Sequence, residues 1–379
     1  MTNNVQSIQQ LGQSVWYDNI SRGLIRSGGL QKLIDQGISG LTSNPTIFEK
    51  AISGGNDYDD ALLALADSDK TLGETFEALA IEDIRAAADL LRSTYDACDG
   101  ADGFVSMEVS PRLAYDTENT VAEARRLFAA LDRPNAMIKV PATPEGIPAV
   151  RTLIGEGVNV NVTLIFSLET YRYVREAYLA GLEHLAHSGG DVGKVASVAS
   201  FFVSRVDTAV DSLLQEKGSQ GNEEVVDLLG QAAVANAKLA YRDFKSTFGT
   251  ERFSTLREMG ARVQRPLWAS TSTKNPAYDD LLYVDTLIGP DTVNTMPEAT
   301  LTVFLEHGTP AETLERDVEG AERAVEALGA NGVSMRQVTD MLLTDGVSSF
   351  ADSYDALLEN IKEKTAALLG GRRRPGSGR

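Results

Sequence analysis

The chain has 379 residues, of which 42% are hydrophobic and 23% are charged, a composition typical of a globular protein with a large core. Acidic residues outnumber basic ones by 54 to 35, which gives a formal net charge of −19. A field of this sign repels nucleic-acid phosphates and anionic lipids, so neither is an expected partner. A small anionic substrate would need a concave pocket that Lys, Arg or backbone N–H groups make locally positive.

The N-terminal residues and the cysteine content indicate where the protein works. The segment MTNNVQSIQQLG has neither the basic nor the apolar region of a signal peptide. No apolar run approaches the roughly 18 residues that a membrane span needs. Cys98 is the single cysteine, which excludes a disulfide framework. We therefore expect a cytoplasmic protein that contacts no membrane.

Short segments rich in β-branched and apolar residues predict eight strands. They are Val15–Asn19, Ile38–Ser43, Phe104–Val109, Met137–Pro141, Val158–Ile165, Val195–Ser200, Pro266–Ser270 and Thr292–Met296. Most of the stretches between them have helical periodicity, notably Thr75–Tyr95, Thr120–Leu131, Leu168–Leu185 and Asp207–Phe248. Strands that alternate with helices indicate a parallel sheet.

Eight such units favour an α/β fold, a (β/α)8 TIM barrel with N-terminal and C-terminal helical extensions. We expect residues 1–369 to form one domain, in which helices from about residue 310 pack outside the barrel. Residues 370–379, rich in Gly and Arg, predict a disordered basic tail. An open doubly wound sheet is the alternative. It is disfavoured because no G-x-G-x-x-G motif follows the first strand and because polar residues end nearly every strand.

Lys139 is the most informative of the polar residues near the strand ends, where barrel enzymes carry their chemistry. The segment MIKVP places a cation inside an apolar strand, where burial of an ammonium is costly. Burial favours the neutral amine, which is the form that attacks a carbonyl. An outward-facing, solvated Lys139 is the alternative. The other polar residues at these ends are Asp18, Thr42, Asn44, Glu108, Asn161, Thr163, Ser200 and Ser270.

Two carboxylates are candidates for proton transfer. Asp18 and Glu108 end different strands of the predicted barrel, so they can act as acid–base partners of a neutral lysine. Their alternative roles are a helix cap or a salt-bridge partner. The histidines, His184, His187 and His307, lie near predicted helix C-termini and are poor candidates. Motifs for zinc proteases, serine hydrolases and P-loops are absent, so we expect no metal.

Two segments are candidates for anion binding. Arg205 follows Ser200 in SFFVSR, and the loop STSTKN after the seventh strand contains Ser270, Ser272 and Lys274. Hydroxyls, a cation and a short helix N-terminus at this place form the phosphate site of many barrels. For Arg205 the alternative is a helix-face ion pair with Asp207 or a neighbouring carboxylate.

Three motifs resemble, in the same order, the signatures of the transaldolase family. They are GLTSNPTIF at 40–48, MIKVPATPEGIPA at 137–149 and NVNVTLIFS at 159–167. The resemblance extends roughly from Asp18 to Pro297. It implies a cofactor-free barrel enzyme of the pentose phosphate pathway. Such an enzyme moves a dihydroxyacetone unit from sedoheptulose 7-phosphate to glyceraldehyde 3-phosphate through a lysine Schiff base.

The resemblance also implies roles for single residues. Lys139 would condense with the ketose C2 carbonyl, and Asp18 would take the proton of the C4 hydroxyl. Glu108 and Thr163 resemble the pair that holds the water for carbinolamine dehydration. Asn44 and Asn161 resemble the amides that bond the dihydroxyacetone hydroxyls, and Arg205 resembles a phosphate ligand. Ser200 matches the serine that precedes the motif of this arginine and is expected, with Thr42, to bind substrate.

The chain departs from the family pattern after the seventh strand, where STSTKN replaces a common Ser-x-Arg. Ser270 is therefore the expected ligand there, with Lys274 as a second candidate. The C-terminal helices indicate the longer-subunit class, as a monomer or homodimer. A fructose 6-phosphate aldolase is the neighbouring alternative, but short aldolases of the family tend to replace the water-holding Glu by Gln, so Glu108 favours the transferase. A non-catalytic sugar-phosphate-binding barrel is the third alternative.

Overall fold

The strands form a closed parallel barrel in sequence order, with β8 paired to β1. The computed structural model describes residues 2–219 and 223–372. Every predicted strand is confirmed with small shifts at its ends, and the open-sheet alternative is excluded. Within the described residues, strands β1 to β8 span Gln13–Tyr17, Gly40–Leu41, Val105–Glu108, Ala136–Pro141, Val160–Ile165, Ser197–Phe202, Arg265–Ala269 and Thr292–Met296.

Helices surround the barrel, and further helices precede its first strand and follow its last strand in the sequence. The predicted helical stretch Asp207–Phe248 is divided in the structure, because α11 ends at Ser219 and α12 begins at Ala232. In the described part of the chain, α1 to α17 span Asn4–Gln10, Arg22–Arg26, Gly29–Asp35, Pro45–Ser53, Asp59–Leu65, Leu72–Leu90, Arg92–Ala97, Thr117–Leu131, Gly146–Gly155, Leu168–His187, Ser204–Ser219, Ala232–Phe248, Glu251–Glu258, Leu282–Asp285, Glu298–His307, Val318–Ala330 and Met335–Arg372.

Burial on both faces explains why the strands read as apolar runs in the sequence. Every residue of β4, β5 and β6 is buried. Outward-facing side chains such as Val140 pack under the helices, whereas the alternate residue Lys139 points into the barrel and is only 5% exposed. The solvated, outward-facing alternative for Lys139 is therefore excluded.

The C-terminal helix α17 lies over the C-terminal end of the barrel. Its 38 residues correspond to a length of about 57 Å. The helix is tied to α4 because the Thr46 hydroxyl donates to Ser353 Oγ at 2.9 Å and Lys364 donates to the Ile52 carbonyl oxygen at 2.7 Å. The predicted C-terminal extension is thus helical, and it covers the barrel mouth rather than packing only on the side. No helix among the described residues is both long and apolar enough to cross a membrane.

The same helix runs past the predicted C-terminal boundary of the ordered domain. It continues through residues 370–372, so the start of the predicted tail is helical. The rest of that tail, residues 373–379, lies outside the described residues.

A bulge in β5 lies directly beside the barrel mouth. The register with β6 shifts between Val162 and Ile165, and Leu164 has a φ of +60°. A positive φ is strained for a leucine, and such bulges redirect the neighbouring side chains. The Leu164 side chain in turn contacts α17 at Gly346, where an added Cβ would lie 3.0 Å from Leu164 Cδ2. A larger residue at 346 would therefore require the Leu164 side chain to shift by a few tenths of an ångström.

A buried ion pair fixes the segment that follows β1. Arg22 Nε donates to Asp83 Oδ1 at 2.9 Å, and the Tyr58 hydroxyl donates to Asp83 Oδ2 at 2.8 Å. Burial raises the pKa of Asp83, although Arg22 and Tyr58 act in the opposite direction. The Asp83 carboxylate therefore joins α2, α6 and the start of α5 beneath the mouth.

We expect Asp83→Ala to destabilise the protein by about 3–5 kcal/mol, because Arg22 would be left buried without its partner. Urea unfolding of both forms measures the difference. Glu82→Ala is the matched control, since Glu82 contacts the same arginine but its side chain is 59% exposed. Its loss should cost at most about 1 kcal/mol. Equal effects of the two substitutions would contradict this assignment.

Candidate active site

A cavity of about 380 Å³ opens at the C-terminal end of the barrel. It lies where the strand ends and the helix α17 meet, as expected for a barrel enzyme. Glu108 and Asn161 are the two predicted site residues that do not line it. The other predicted residues do: Asp18, Thr42, Asn44, Lys139, Thr163, Ser200, Arg205, Ser270 and Lys274.

A larger cleft of about 790 Å³ lies between α10 and the first part of α17. Its walls are mostly apolar, with residues such as Ile147 and Leu343, and none of the predicted site residues lines it. If size alone decided, this cleft would be the candidate binding site. The ionisable and hydroxyl groups needed for chemistry are concentrated in the smaller cavity instead.

Lys139 occupies the wall of the smaller cavity in a well-defined position. Its ammonium group donates to the Ser43 carbonyl oxygen at 3.0 Å and lies 3.4 Å from Glu108 Oε2. Glu108 is the register partner of Lys139 on the neighbouring strand, so the two side chains point into the barrel at the same height. The ring of Phe350, on α17, has its centroid 5.7 Å from the amine. The nitrogen is thus held by polar groups on one side and covered by an aromatic ring.

Asp18 follows β1 on the same cavity. The Thr42 hydroxyl donates to Asp18 Oδ1 at 2.6 Å and lies 2.6 Å from Thr295 Oγ1. Burial raises the pKa of the Asp18 carboxyl, although the Thr42 hydrogen bond and the charge of Lys139 oppose the shift. A carboxylate with a raised pKa is a stronger base than an exposed one. In the structure, Thr42, a predicted substrate ligand, orients the Asp18 carboxyl group.

Glu108 and Thr163 lie on either side of β4. Burial raises the pKa of Glu108 despite the opposing charge of Lys139, and its side chain is 6% exposed. Glu108 also borders a second cavity of about 20 Å³, which has room for about one water molecule. The Thr163 hydroxyl is buried and has no hydrogen-bond partner among the described residues. An orphaned buried hydroxyl is expected to bind a water or a ligand.

The predicted ligands Asn44 and Asn161 differ in the hydrogen bonds that they form within the protein. Asn44 Oδ1 accepts from the Ile47 N–H at 3.0 Å and caps α4, which leaves the Asn44 NH₂ group for a ligand. Asn161 is fully buried, donates to Ser106 Oγ at 3.0 Å and accepts from Ser200 Oγ at 2.7 Å. Asn161 therefore orients Ser200, and its direct contact with substrate stays a prediction.

One side of the cavity carries cations that no carboxylate neutralises. Arg205, Lys274 and Lys50 line it, and none of them lies within 4.0 Å of a carboxylate oxygen of the described residues. The Arg205 guanidinium lies over the Phe202 ring, 5.3 Å from its centroid, and burial lowers the pKa of Arg205. The alternative ion pair of Arg205 with Asp207 is not formed. In a chain of net charge −19, this is the locally positive pocket that an anionic substrate requires.

Sequence analysis missed several residues that line this cavity. Lys50 lies in the last turn of α4, and its type and spacing did not distinguish it from a surface lysine. Phe350 carries no chemical signal in the sequence, because its role follows from the path of α17. The other missed residues are Thr46, Ile47, Phe202, Ala269, Thr295, Pro297 and Ser349.

The raised pKa of Asp18 has a consequence for stability. Because the folded state holds the Asp18 proton more tightly than the unfolded state, this group contributes stability at low pH and loses it as pH rises through its folded pKa. At pH 8 the buried charge is a cost. We expect Asp18→Asn to be more stable than the parent by about 1–2 kcal/mol at pH 8, with the gain shrinking as the pH falls through the folded pKa towards the ordinary value of 3.8.

Chemical denaturation of both forms at several pH values tests this expectation. Asp96→Asn is the matched control, since Asp96 is 56% exposed and its substitution should change stability by less than about 0.5 kcal/mol at every pH. A gain for Asp18→Asn that is as large at pH 3.8 as at pH 8 would show that the carboxyl charge is not its cause.

Comparison with known proteins agrees with the geometry. The family model described as Transaldolase/Fructose-6-phosphate aldolase matches residues 15–361. A protein named Transaldolase from Thermobifida fusca is 49% identical over 369 residues, which cover 97% of this chain and 100% of that protein. Proteins of the same name from Trichodesmium erythraeum and Parafrankia sp. are 44% and 48% identical, covering 97% and 96% of this chain and 99% and 98% of their own lengths.

These matches extend beyond the barrel strands and cover most of the C-terminal helix that closes the mouth. The resemblance carried by the three sequence motifs is confirmed by them. This chain belongs to the transaldolase/fructose-6-phosphate aldolase family.

Proposed function

We propose that this protein is a transaldolase, which reversibly transfers a dihydroxyacetone unit from sedoheptulose 7-phosphate to glyceraldehyde 3-phosphate in the non-oxidative pentose phosphate pathway. The observation that carries the proposal is the buried amine of Lys139 in one cavity with Asp18 and with cations that lack carboxylate partners. The names of the full-length relatives support the same activity.

Lys139 begins the reaction as the nucleophile. Its nitrogen adds to the C2 carbonyl of the ketose, and the resulting carbinolamine loses water to form an iminium ion. Glu108, 3.4 Å from the amine and with a raised pKa, is suited to deliver a proton to the departing hydroxyl. The orphaned Thr163 hydroxyl would hold the water that relays this proton.

Asp18 drives the carbon–carbon cleavage. Its carboxylate takes the proton of the C4 hydroxyl, the C3–C4 bond breaks, and the electron pair moves into the iminium to give an enamine. Erythrose 4-phosphate leaves, and the dihydroxyacetone unit stays on Lys139. An incoming aldehyde then accepts the enamine carbon while Asp18 returns its proton to the new hydroxyl, and hydrolysis of the iminium releases fructose 6-phosphate.

The phosphate group of either substrate binds at the cationic side of the cavity. Arg205 and Lys274 supply charge, and Ser270 supplies a hydroxyl beside them. Lys50 adds a third cation that sequence analysis did not identify. Charge-assisted contacts of this kind hold the chain of the sugar in line with the amine.

A fructose 6-phosphate aldolase uses the same Schiff base but releases its enamine to a proton, and a non-catalytic barrel would only bind sugar phosphates. The carboxylate of Glu108 beside Lys139 supports the transferase. We also propose a cytoplasmic location and a monomeric or homodimeric state. We propose no nucleic-acid partner, because a net charge of −19 repels nucleic-acid phosphates.

Borohydride reduction in the presence of fructose 6-phosphate, followed by peptide mass mapping, tests the proposal. We expect a dihydroxyacetone adduct on Lys139 and, when erythrose 4-phosphate is added before reduction, its conversion to sedoheptulose 7-phosphate. Free dihydroxyacetone without transfer would establish the aldolase. An adduct on another lysine, or the absence of any adduct, would contradict the proposal and favour a non-catalytic barrel that only binds sugar phosphates.

We expect Lys139→Ala to abolish trapping while leaving the fold intact, because the substitution removes a buried cation rather than a large apolar side chain. Circular dichroism and thermal unfolding measure the fold. Lys194→Ala is the matched control, since that side chain is 83% exposed, and it should keep parental trapping and activity. Unfolding of Lys139→Ala under conditions where the parent is folded would contradict the expectation.

Asp18→Asn and Glu108→Gln should separate the two proton transfers. Asp18→Asn should still form the Schiff base but lose about 10²–10⁴-fold in cleavage, because an amide cannot accept the C4 proton. Glu108→Gln should instead slow Schiff-base formation. Rapid-quench borohydride trapping and aldehyde release report the two steps. Cleavage near the parental rate in Asp18→Asn would reassign the base.

A further inference from the structure

The segment after β7, which contains Ser270 and Lys274, is attached to α11 at three levels. At the start of α11, the Ser204 N–H donates to the Ser270 carbonyl oxygen at 3.0 Å. One turn further, the Tyr283 hydroxyl donates to Asp207 Oδ2 at 2.8 Å. Another turn on, the Tyr278 hydroxyl donates to Asp211 Oδ2 at 2.7 Å. Because residues four apart share one face of a helix, the two aspartates present a single edge of α11 to this segment.

The two carboxylates are fixed from their other side by α12 and the turn before it. Asp207 Oδ1 accepts from the Ala233 N–H at 2.7 Å, and Asp211 Oδ1 accepts from the Gly230 N–H at 3.0 Å. Asp207 and Asp211 are 1% and 6% exposed. Neither forms an ion pair within the described residues, so tyrosine hydroxyls and backbone N–H groups stabilise both. Hydrogen bonds to a buried carboxylate are stronger than bonds between neutral groups.

Close packing fixes the ring of Tyr278 as well as its hydroxyl. The ring lies against Gly230, which has a φ of +71°, and an added Cβ there would be 2.9 Å from Tyr278 Cζ. Any other residue at 230 would be strained and would displace the ring. The tyrosine is therefore held by the Gly230 backbone on its face and by Asp211 at its tip.

Lys274 depends on this tyrosine for its position. The Thr273 hydroxyl donates to the Asp279 carbonyl oxygen at 2.9 Å, and the Tyr278 N–H donates to the Asn275 carbonyl oxygen at 3.1 Å. Lys274 thus lies in a short loop, residues 273–279, that these hydrogen bonds close. Within this loop, Tyr278 is the residue that is hydrogen-bonded to α11. The lysine itself is exposed and forms no ion pair with the described residues, so its distance from Arg205 depends on the backbone of this segment. Tyr278 ties that backbone to α11, and the Ser272 hydroxyl, 2.8 Å from Thr300 Oγ1, ties it to α15.

We propose that Tyr278 and Asp211, supported by Tyr283 and Asp207, are positioning residues that set the spacing of Lys274 and Arg205 and thereby the affinity for the phosphate end of the substrate. The inference rests on the proposed role of these two cations. None of the four residues of the Tyr–Asp pairs lines the cavity. Their action is on substrate binding and not on the bonds that break.

A purely structural role would lower stability without changing substrate affinity. A positioning role predicts that KM rises for phosphorylated sugars while kcat is kept, because the phosphate contact is lost equally from ground state and transition state. Trapping of Lys139 with dihydroxyacetone, which has no phosphate, should not change.

The test compares Tyr278→Phe and Asp211→Ala with the parent. We expect KM for fructose 6-phosphate and for erythrose 4-phosphate to rise about tenfold in each variant, with kcat within about twofold. Combining both substitutions should raise KM little further, since either one breaks the same hydrogen bond. Tyr178→Phe is the matched control. The Tyr178 hydroxyl is also buried and donates to the Arg262 carbonyl oxygen at 2.8 Å, but it lies on α10, and its loss should leave KM unchanged.

Lys274→Met and Arg205→Met distinguish the proposed phosphate site from the proposed positioning role of Tyr278. If these variants raise KM and Tyr278→Phe does not, the positioning role is overturned while the phosphate site stands. If neither lysine nor arginine substitution raises KM, the phosphate site is wrong and the positioning role fails with it. A KM increase in Tyr178→Phe equal to that in Tyr278→Phe would also overturn the positioning role, because it would reflect general loosening.

Discussion

The site depends on placing one amine and two carboxyl groups in the partly enclosed mouth of the barrel. Desolvation raises the pKa of both Asp18 and Glu108, and the charge of Lys139 acts in the opposite direction on each. The charge of Asp18 also raises the pKa of Glu108, so the two carboxyl groups do not titrate independently. The hydrogen bonds from Thr42 and to the Ser43 carbonyl set where each charge is best tolerated. Proton transfer between substrate and protein can then proceed with little rearrangement of solvent.

The charge distribution shows a second constraint on the same site. An excess of acidic groups covers most of the molecule, and many arginines are paired with them, as in the Arg126 contact with Glu77 and the Arg252 contact with Glu183. Arg205 and Lys274 differ because no carboxylate of the described chain lies beside them. Anions are therefore repelled by the net charge of the molecule and attracted locally by the Arg205 side of the cavity.

Much of this arrangement could be read from the sequence, for identifiable physical reasons. Parallel strands buried on both faces give apolar runs, and the barrel topology places the residues that end them around one mouth. Whether Lys139 faced inward could not be decided, because that depends on the pleat of β4. The engagement of Asn161 by Ser106 and Ser200 was equally hidden, since it depends on pairings between strands that are far apart in sequence. Lys50 and Phe350 were missed because helix packing, and not local pattern, brings them to the cavity.

The path of α17 also determines when the cavity is complete during synthesis. Phe350, Ser349 and the contacts of Ser353 with α4 all come from the last helix, whereas the strands that carry Asp18, Glu108 and Lys139 end by residue 141. A ribosome-bound chain that has already paired all its strands would still lack the aromatic cover over the amine. The amine of Lys139 is thus covered by a segment that follows all eight barrel strands in the sequence, so pairing of the strands alone does not complete the site.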